Sequence, residues 1–189
     1  KIILENMKYN IGKYKNRDAY IGDCIDIVDG LTKNISQILS VSSLEHLKND
    51  EEFLNINDIL EGVLRKYEVL ANQKNIKINN CLSNEKIYIG KTALKIILSN
   101  LISNAVKYAD ESGTINIGVD EEWLYIENSY GNKKSIDMEK LFEVKFDLNK
   151  ETSNGLGLYI VSNLLNNYNI KYKALQNESC FVFKIELSI

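Results

Sequence analysis

The chain contains no proline in 189 residues. Average usage is about 5%, so several would be expected. Without proline nothing removes a helical N–H or clashes with the preceding turn, and long uninterrupted helices are admitted. Histidine is almost absent as well, His46 being the only one. Three cysteines, Cys24, Cys81 and Cys180, stand far apart in apolar surroundings. Their spacing excludes a thiolate metal framework and predicts buried, reduced thiols in a reducing compartment. No apolar run approaches the ~20 residues of a membrane span, and no signal-peptide pattern is visible in these residues. The net charge of −3 is small and the lysines are scattered, which disfavours bulk nucleic-acid binding. What the chain has instead is Asn, Lys and Ile in abundance. Its length suits one sizeable core with a smaller element, or two small domains.

The pattern changes near residue 50. Residues 1–48 carry two helical periods and no strand period. Leu4, Met7, Ile11 and Tyr14 step by three and four, as do Ile21, Ile25, Val28, Ile35, Ile38 and Ser42 around Leu31. The polar break Gly12-Lys13-Tyr14-Lys15-Asn16-Arg17-Asp18 separates them, with Asp18 placed to cap the second helix. Two helices on so short a connection predict an antiparallel hairpin. One hairpin cannot hide both apolar stripes, so it either pairs with a second copy as a four-helix bundle or packs on its own globular domain.

From residue 51 helices and strands alternate. Phe53-Leu54-Asn55-Ile56 reads as a short strand. Asn57 is placed to cap a helix running to about Lys74, with Ile59, Leu60, Val63, Leu64, Tyr67 and Leu70 inward. Residues 76–81 and 86–89 alternate as strands, and a helix is predicted over 92–109. Residues 113–119 and 123–127 form one hairpin, and residues 170–175 and 180–187 another. The expected class is α+β: a two-layer α/β sandwich, a mixed sheet with helices on one face, preceded by an α-helical hairpin.

Within the helix over 92–109, Asn100, Asn104, Lys107 and Tyr108 fall at i, i+4, i+7 and i+8 and share one face. Leu94, Ile97, Leu98, Leu101 and Ile102 occupy the rest as core contacts. Two carboxamides and an ammonium on a largely buried helix are costly unless a polar partner meets them. A phosphate with a hard cation would do so, Asn supplying oxygen and Lys charge. A solvated polar stripe is the plainer alternative. About fifty residues on, Thr152-Ser153-Asn154-Gly155-Leu156-Gly157-Leu158 runs into an apolar helix over 156–165. Glycines at a helix start let backbone N–H groups approach an anion. A tight loop before a helix is the alternative there, and the third glycine of the dinucleotide fingerprint is missing.

Together these segments resemble the ATP-binding domain of sensor histidine kinases, in the gyrase–Hsp90–histidine kinase–MutL superfamily. Residues 100–108 match its N box, Asn-Leu-Leu-x-Asn-Ala-x-Lys-Tyr, departing at Ile102. Residues 153–158 match its last glycine box, with Ser153 for the first glycine. Leu141-Phe142-Glu143-Val144-Lys145-Phe146 resembles its F box. The central box, Asp-x-Gly-x-Gly, is degenerate: Asn128 stands at the Asp position and only Gly131 remains of the glycines. An Asn oxygen still accepts the adenine amino hydrogen bond, without charge. Taken without the resemblance, Asn128 to Gly131 reads as an ordinary Asx or hairpin turn.

The resemblance implies an enzyme that binds ATP with Mg²⁺ and transfers the γ-phosphoryl to a histidine, then to an aspartate of a response regulator. It implies Asn104 and Asn100 as metal and phosphate residues, Lys107 on phosphate, and Tyr108 at the ring or phosphate edge. Asn128, Gly131 and Phe146 fall at the nucleotide by the same implication, and Gly155, Leu156, Gly157 and Leu158 at the phosphates. A lid is expected over 147–154. The hairpin over 1–48 resembles the dimerisation and phosphotransfer domain, with a pattern similar to sensor kinases of the vancomycin-resistance type, and 51–189 the catalytic domain. The acceptor motif, His followed by an acidic residue and ending in Thr-Pro, is not in these residues. His46, in Leu44-Glu45-His46-Leu47-Lys48, lacks it and reads as a surface or interdomain residue. The expectation is therefore a homodimer, the cytoplasmic portion of a cell-membrane protein anchored upstream, in a piece that cannot phosphorylate itself. The alternatives are a superfamily ATP hydrolase, a serine kinase of the anti-sigma-factor kind, or a nucleotide-dead scaffold. The hydrolases use a Glu base one turn before the magnesium Asn, where this chain has Asn100.

Overall fold

The computed structural model describes residue 21 and residues 51–131, 136–138, 141–142 and 156–187. The helical hairpin, His46, the lid over 147–154, Phe146 and Gly155 lie outside the described residues. Contacts divide the chain into Lys1–Ser42 and Ser43–Ile189, and all described residues except Ile21 belong to the second unit.

The order of elements in that unit is β1 (Glu51–Asn55), α1 (Ile56–Gln73), β2 (Lys77–Asn80), β3 (Lys86–Gly90), α2 (Lys91–Tyr108), β4 (Thr114–Asp120), β5 (Trp123–Ser129), α3 (Leu156–Asn167), β6 (Tyr172–Gln176) and β7 (Cys180–Glu186). Five strands form one mixed sheet in the order β2-β4-β5-β7-β6. Only β2 and β4 run parallel, with Ile78 opposite Ile115. That pairing needs a crossover, and the chain supplies one through β3 and α2. The other two strands, β1 and β3, leave the sheet and form their own antiparallel ribbon.

Period-two alternation sets the two faces of the sheet. Ile115 and Ile117 of β4, Leu124, Ile126 and Asn128 of β5, and Phe183 and Ile185 of β7 are buried. Those side chains lie beneath the helical layer, where α2 packs on β5 and is flanked by α1 and α3. Leu94, Ile97, Leu98 and Ile102 of α2 are fully buried, as their period predicts. Truncating any one of them to Ala would cost about 2–5 kcal/mol.

The opposite face is polar. Asn79 donates to Asn116 Oδ1 at 2.8 Å, Asn116 donates to Glu127 Oε1 at 2.9 Å, and the Cys180 thiol lies 3.5 Å from Glu127 Oε2. These contacts cross four strands. Lys173 sits 4.0 Å from the Trp123 ring centre on the same face. The Tyr125 ring covers Gly118 there: a Cβ would fall 2.7 Å from the Tyr125 hydroxyl, so any side chain would displace the ring.

Three expectations are corrected. The cap of α1 is Asn55, not Asn57, because β1 runs into the helix without a loop. Asn55 Oδ1 accepts from the N–H of Asn57 at 2.9 Å and of Asp58 at 3.4 Å, while Asn57 Oδ1 accepts from Asn80 instead. Leu70, expected inward, is 50% exposed, and Ala71 beside it is the buried residue of the last turns of α1. The two described cysteines are free but not buried: Cys81 is exposed and Cys180 half-buried, while Cys24 lies outside the described residues. Cys81 stands one residue beyond β2, and Cys180 begins β7 on its outward parity. Burial, followed by the Glu127 carboxylate, pushes the Cys180 thiol up from its ordinary pKa.

Candidate functional site

The site is assembled from α2, the first turn of α3 and the end of β5. Helix α2 is apolar on most of its surface, and that buried girdle fixes its rotation on the sheet. Its remaining stripe carries Asn100, Asn104, Lys107 and Tyr108. Asn100 is buried, with 8% of its surface exposed. Its Nδ2 donates to Ile96 O at 2.9 Å, one turn back along the same helix. Asn104 is half-buried, and Lys107 and Tyr108 are exposed. The Lys107 ammonium stands 5.1 Å from the Tyr108 ring centre.

The glycine segment meets this stripe. Gly157 lies in the first turn of α3, and a Cβ built on it would fall 3.0 Å from Asn100 Oδ1 and 3.7 Å from Asn104 Nδ2. Two segments about fifty residues apart in sequence are thereby packed backbone against carboxamide. Leu156 anchors the turn in the core, and Leu158 is half-buried.

Asn128 lies near the end of β5, the strand on which α2 packs. Its side chain is on the helical face of the sheet and only 4% of the residue is exposed. Nδ2 donates to Ser129 O at 2.9 Å. That bond leaves Oδ1 as the acceptor. No side-chain nitrogen or oxygen among the described residues is both sealed from solvent and without a partner. Gly131 follows two residues beyond β5, and its N–H donates to Asp110 Oδ2 at 2.7 Å. Between them Tyr130 has its phenol pKa raised, first by burial and then by Tyr108 and Asp110 nearby.

Of the residues expected from sequence, Asn100, Asn104 and Gly157 are brought into one cluster. Lys107 and Tyr108 extend along its helix, and Asn128 and Gly131 stand at the end of β5. Phe146 and Gly155 are outside the described residues. The described part of the F-box segment is held by Phe142, whose ring packs edge-on against Tyr172 at 5.3 Å and Phe183 at 6.3 Å.

Two residues were missed. Asp110 holds Gly131, and Lys74 donates from its ammonium to Val106 O at 3.0 Å and Lys107 O at 2.8 Å. Lys74 satisfies end-of-helix carbonyls that α2 cannot pair internally. Asp after a helix and Lys after another carry no periodic signal, so only the tertiary contact identifies them.

Residues 90–189 match the family described as histidine kinase-, DNA gyrase B- and HSP90-like ATPase. Over 99% of its length the chain is 34% identical to the sensor histidine protein kinase HK06 of Streptococcus pneumoniae, covering 43% of that protein. Over 94% of its length it is 30% identical to the sensor protein VanSB of Enterococcus faecalis, covering 42% of it. The chain thus spans less than half the length of these curated relatives. Among solved structures, the histidine kinase AdeS of Acinetobacter baumannii aligns with 99% of this chain and 92% of that one. Its TM-score is 0.74 at 20% identity, a likeness of fold.

Proposed function

Since the chain belongs to the histidine kinase-, DNA gyrase B- and HSP90-like ATPase family, we propose that Ser43–Ile189 is the ATP-binding catalytic unit of a sensor histidine kinase. The observation that carries this is the convergence of Gly157 on Asn100 and Asn104. Backbone at a helix start and two carboxamides facing it form a polar lining suited to a triphosphate. Lys107 pairs with phosphate from the exposed end of the same stripe. Asn128 reads the purine: with its amide committed to Ser129 O, its oxygen accepts from an exocyclic amino group and disfavours a carbonyl in that place.

The donor set fits magnesium. No group of three His, Cys, Asp or Glu suited to a metal exists among the described residues. Magnesium needs none when substrate phosphates and water supply most of its oxygens. Asn104 and Asn100 would hold it by their carboxamide oxygens. Bound there, the ion would neutralise charge on the phosphates. The chain's own work is to orient the triphosphate and neutralise its charge, as phosphoryl transfer requires. Asn100 cannot act as a general base, which disfavours hydrolysis.

In the whole protein the phosphoryl acceptor is a histidine other than His46, with onward transfer to a response-regulator aspartate. The hairpin over 1–48 makes the homodimer, and the whole protein is membrane-anchored. Calorimetric titration tests the core of this reading. Mg-ATP should bind only with magnesium present, and Asn104→Ala should weaken it at least tenfold, about 1.4 kcal/mol. No heat at millimolar ATP would leave a nucleotide-dead scaffold. Incubation of this chain with labelled ATP should leave it unlabelled, and label on His46 would overturn the assignment of the acceptor.

A further inference from the structure

A contact that the nucleotide reading above does not use joins the end of α2 to the segment leaving β5. Asp110 stands two residues beyond α2, and its Oδ2 accepts the N–H of Gly131 at 2.7 Å. Gly131 in turn stands two residues beyond β5. Tyr130, between them, donates its N–H to Ser179 O at 2.7 Å. The segment that leaves Asn128 is therefore tied on one side to the β6–β7 turn and on the other to the end of the asparagine helix.

The placement of that carboxylate is unfavourable on local grounds. The last carbonyls of α2 carry partial negative charge, and an acidic side chain just beyond them is repelled. Glu111 adds a second charge. Lys74, with its ammonium on Val106 O and Lys107 O, offsets both. Against that local cost stands the bond from the Gly131 N–H to the Asp110 carboxylate. A carboxylate accepting a backbone N–H is a charge-assisted bond, stronger than a neutral one.

We propose that Asp110 is a positioning residue for the purine end of the site: through the Gly131 N–H it fixes the backbone that leaves Asn128, and with it the direction in which the Asn128 oxygen is presented. This rests on the nucleotide reading above. Asp110 acts on the base and not on the phosphates, because its tether reaches the β5 exit while Gly157 and Asn104 lie on the phosphate side. The bond needs an acceptor oxygen at that position, so an amide in its place keeps the tether and a methyl group loses it.

The test compares Mg-ATP with Mg-tripolyphosphate, which lacks the base, on the full 189-residue chain. Asp110→Ala should weaken Mg-ATP binding five- to tenfold and leave tripolyphosphate unchanged. Asp110→Asn should bind both within twofold of the unaltered chain. Deuterium exchange at the Gly131 amide should quicken in D110A and stay slow in D110N. If D110A fails to unfold cooperatively, Asp110→Ser, too short to span the gap, is read the same way. Equal ATP affinity in D110A and the unaltered chain overturns this inference and leaves the nucleotide reading standing, as does equal weakening of ATP and tripolyphosphate. D110N as weak as D110A overturns the tether as a hydrogen bond. No ATP binding by the unaltered chain overturns both readings.

Discussion

Gly157 lacks a side chain at the place where a methyl group would press on Asn100. Two effects oppose each other there. Alanine is favoured over glycine in a helix by roughly 0.8–1 kcal/mol, so Gly157→Ala should strengthen α3. The added Cβ would sit 3.0 Å from Asn100 Oδ1, closer than ordinary contact. Asn100 has little room to yield, because moving it breaks the Nδ2 bond to Ile96 O. The two readouts should therefore separate. Thermal unfolding of the free protein should change little, the helix gain and the strained Asn100 bond roughly cancelling, while Mg-ATP binding should fall about tenfold, near 1.4 kcal/mol. A variant that binds as well as the original would mean that the carboxamides do not need their present position. At this scale the sequence was legible where chemistry repeats with the helix period: Asn100, Asn104, Lys107 and Tyr108 fall on one line whatever packs on them. Asp110 was not legible, since its partner Gly131 is joined to it by folding and by no spacing along the chain.

Elements were read well in type and less well at their ends. Asn57 and Asn55 are both competent caps in composition, and sequence alone favours the one that follows the strand-like run. The choice falls to Asn55 because the extended backbone of β1 continues to it, at φ −69° and ψ 120°, with no intervening loop. The consequence is measurable by chemical denaturation. Asn55→Ala removes the acceptor for two first-turn N–H groups and should cost about 1 kcal/mol. Asn57→Ala loses one bond with Asn80 on the exposed surface and should cost less than about 0.5 kcal/mol. The reverse order would restore Asn57 as the cap. The separation of β1 and β3 from the main sheet was not legible for a related reason. Strand period says which face is buried and does not say which strand is the neighbour.

At the scale of the molecule, the described hydrophobic core closes within one unit. Its buried residues run from Ile56 to Leu187, and each of the three helices packs on a neighbour or strand of the same unit. The contacts of the chain divide at Ser42 and Ser43. A unit of this size buries roughly two-thirds of the surface its unfolded chain exposes, enough for independent stability. Nothing in the proposed nucleotide chemistry draws on residues before 43, since Asn100, Asn104, Lys107, Asn128 and Gly157 all lie within the second unit. A fragment of residues 43–189 should therefore unfold in one cooperative thermal transition. Mg-ATP at a hundred times its dissociation constant should add about 2.7 kcal/mol of stability by mass action. For a domain near this size that corresponds to a rise in midpoint of roughly 5–10 °C. The rise should vanish without magnesium and in Asn104→Ala. A fragment that melts without cooperativity would show that the first unit completes the core. A cooperative fragment with no shift, beside a full chain that does shift, would place part of the nucleotide site in residues 1–42.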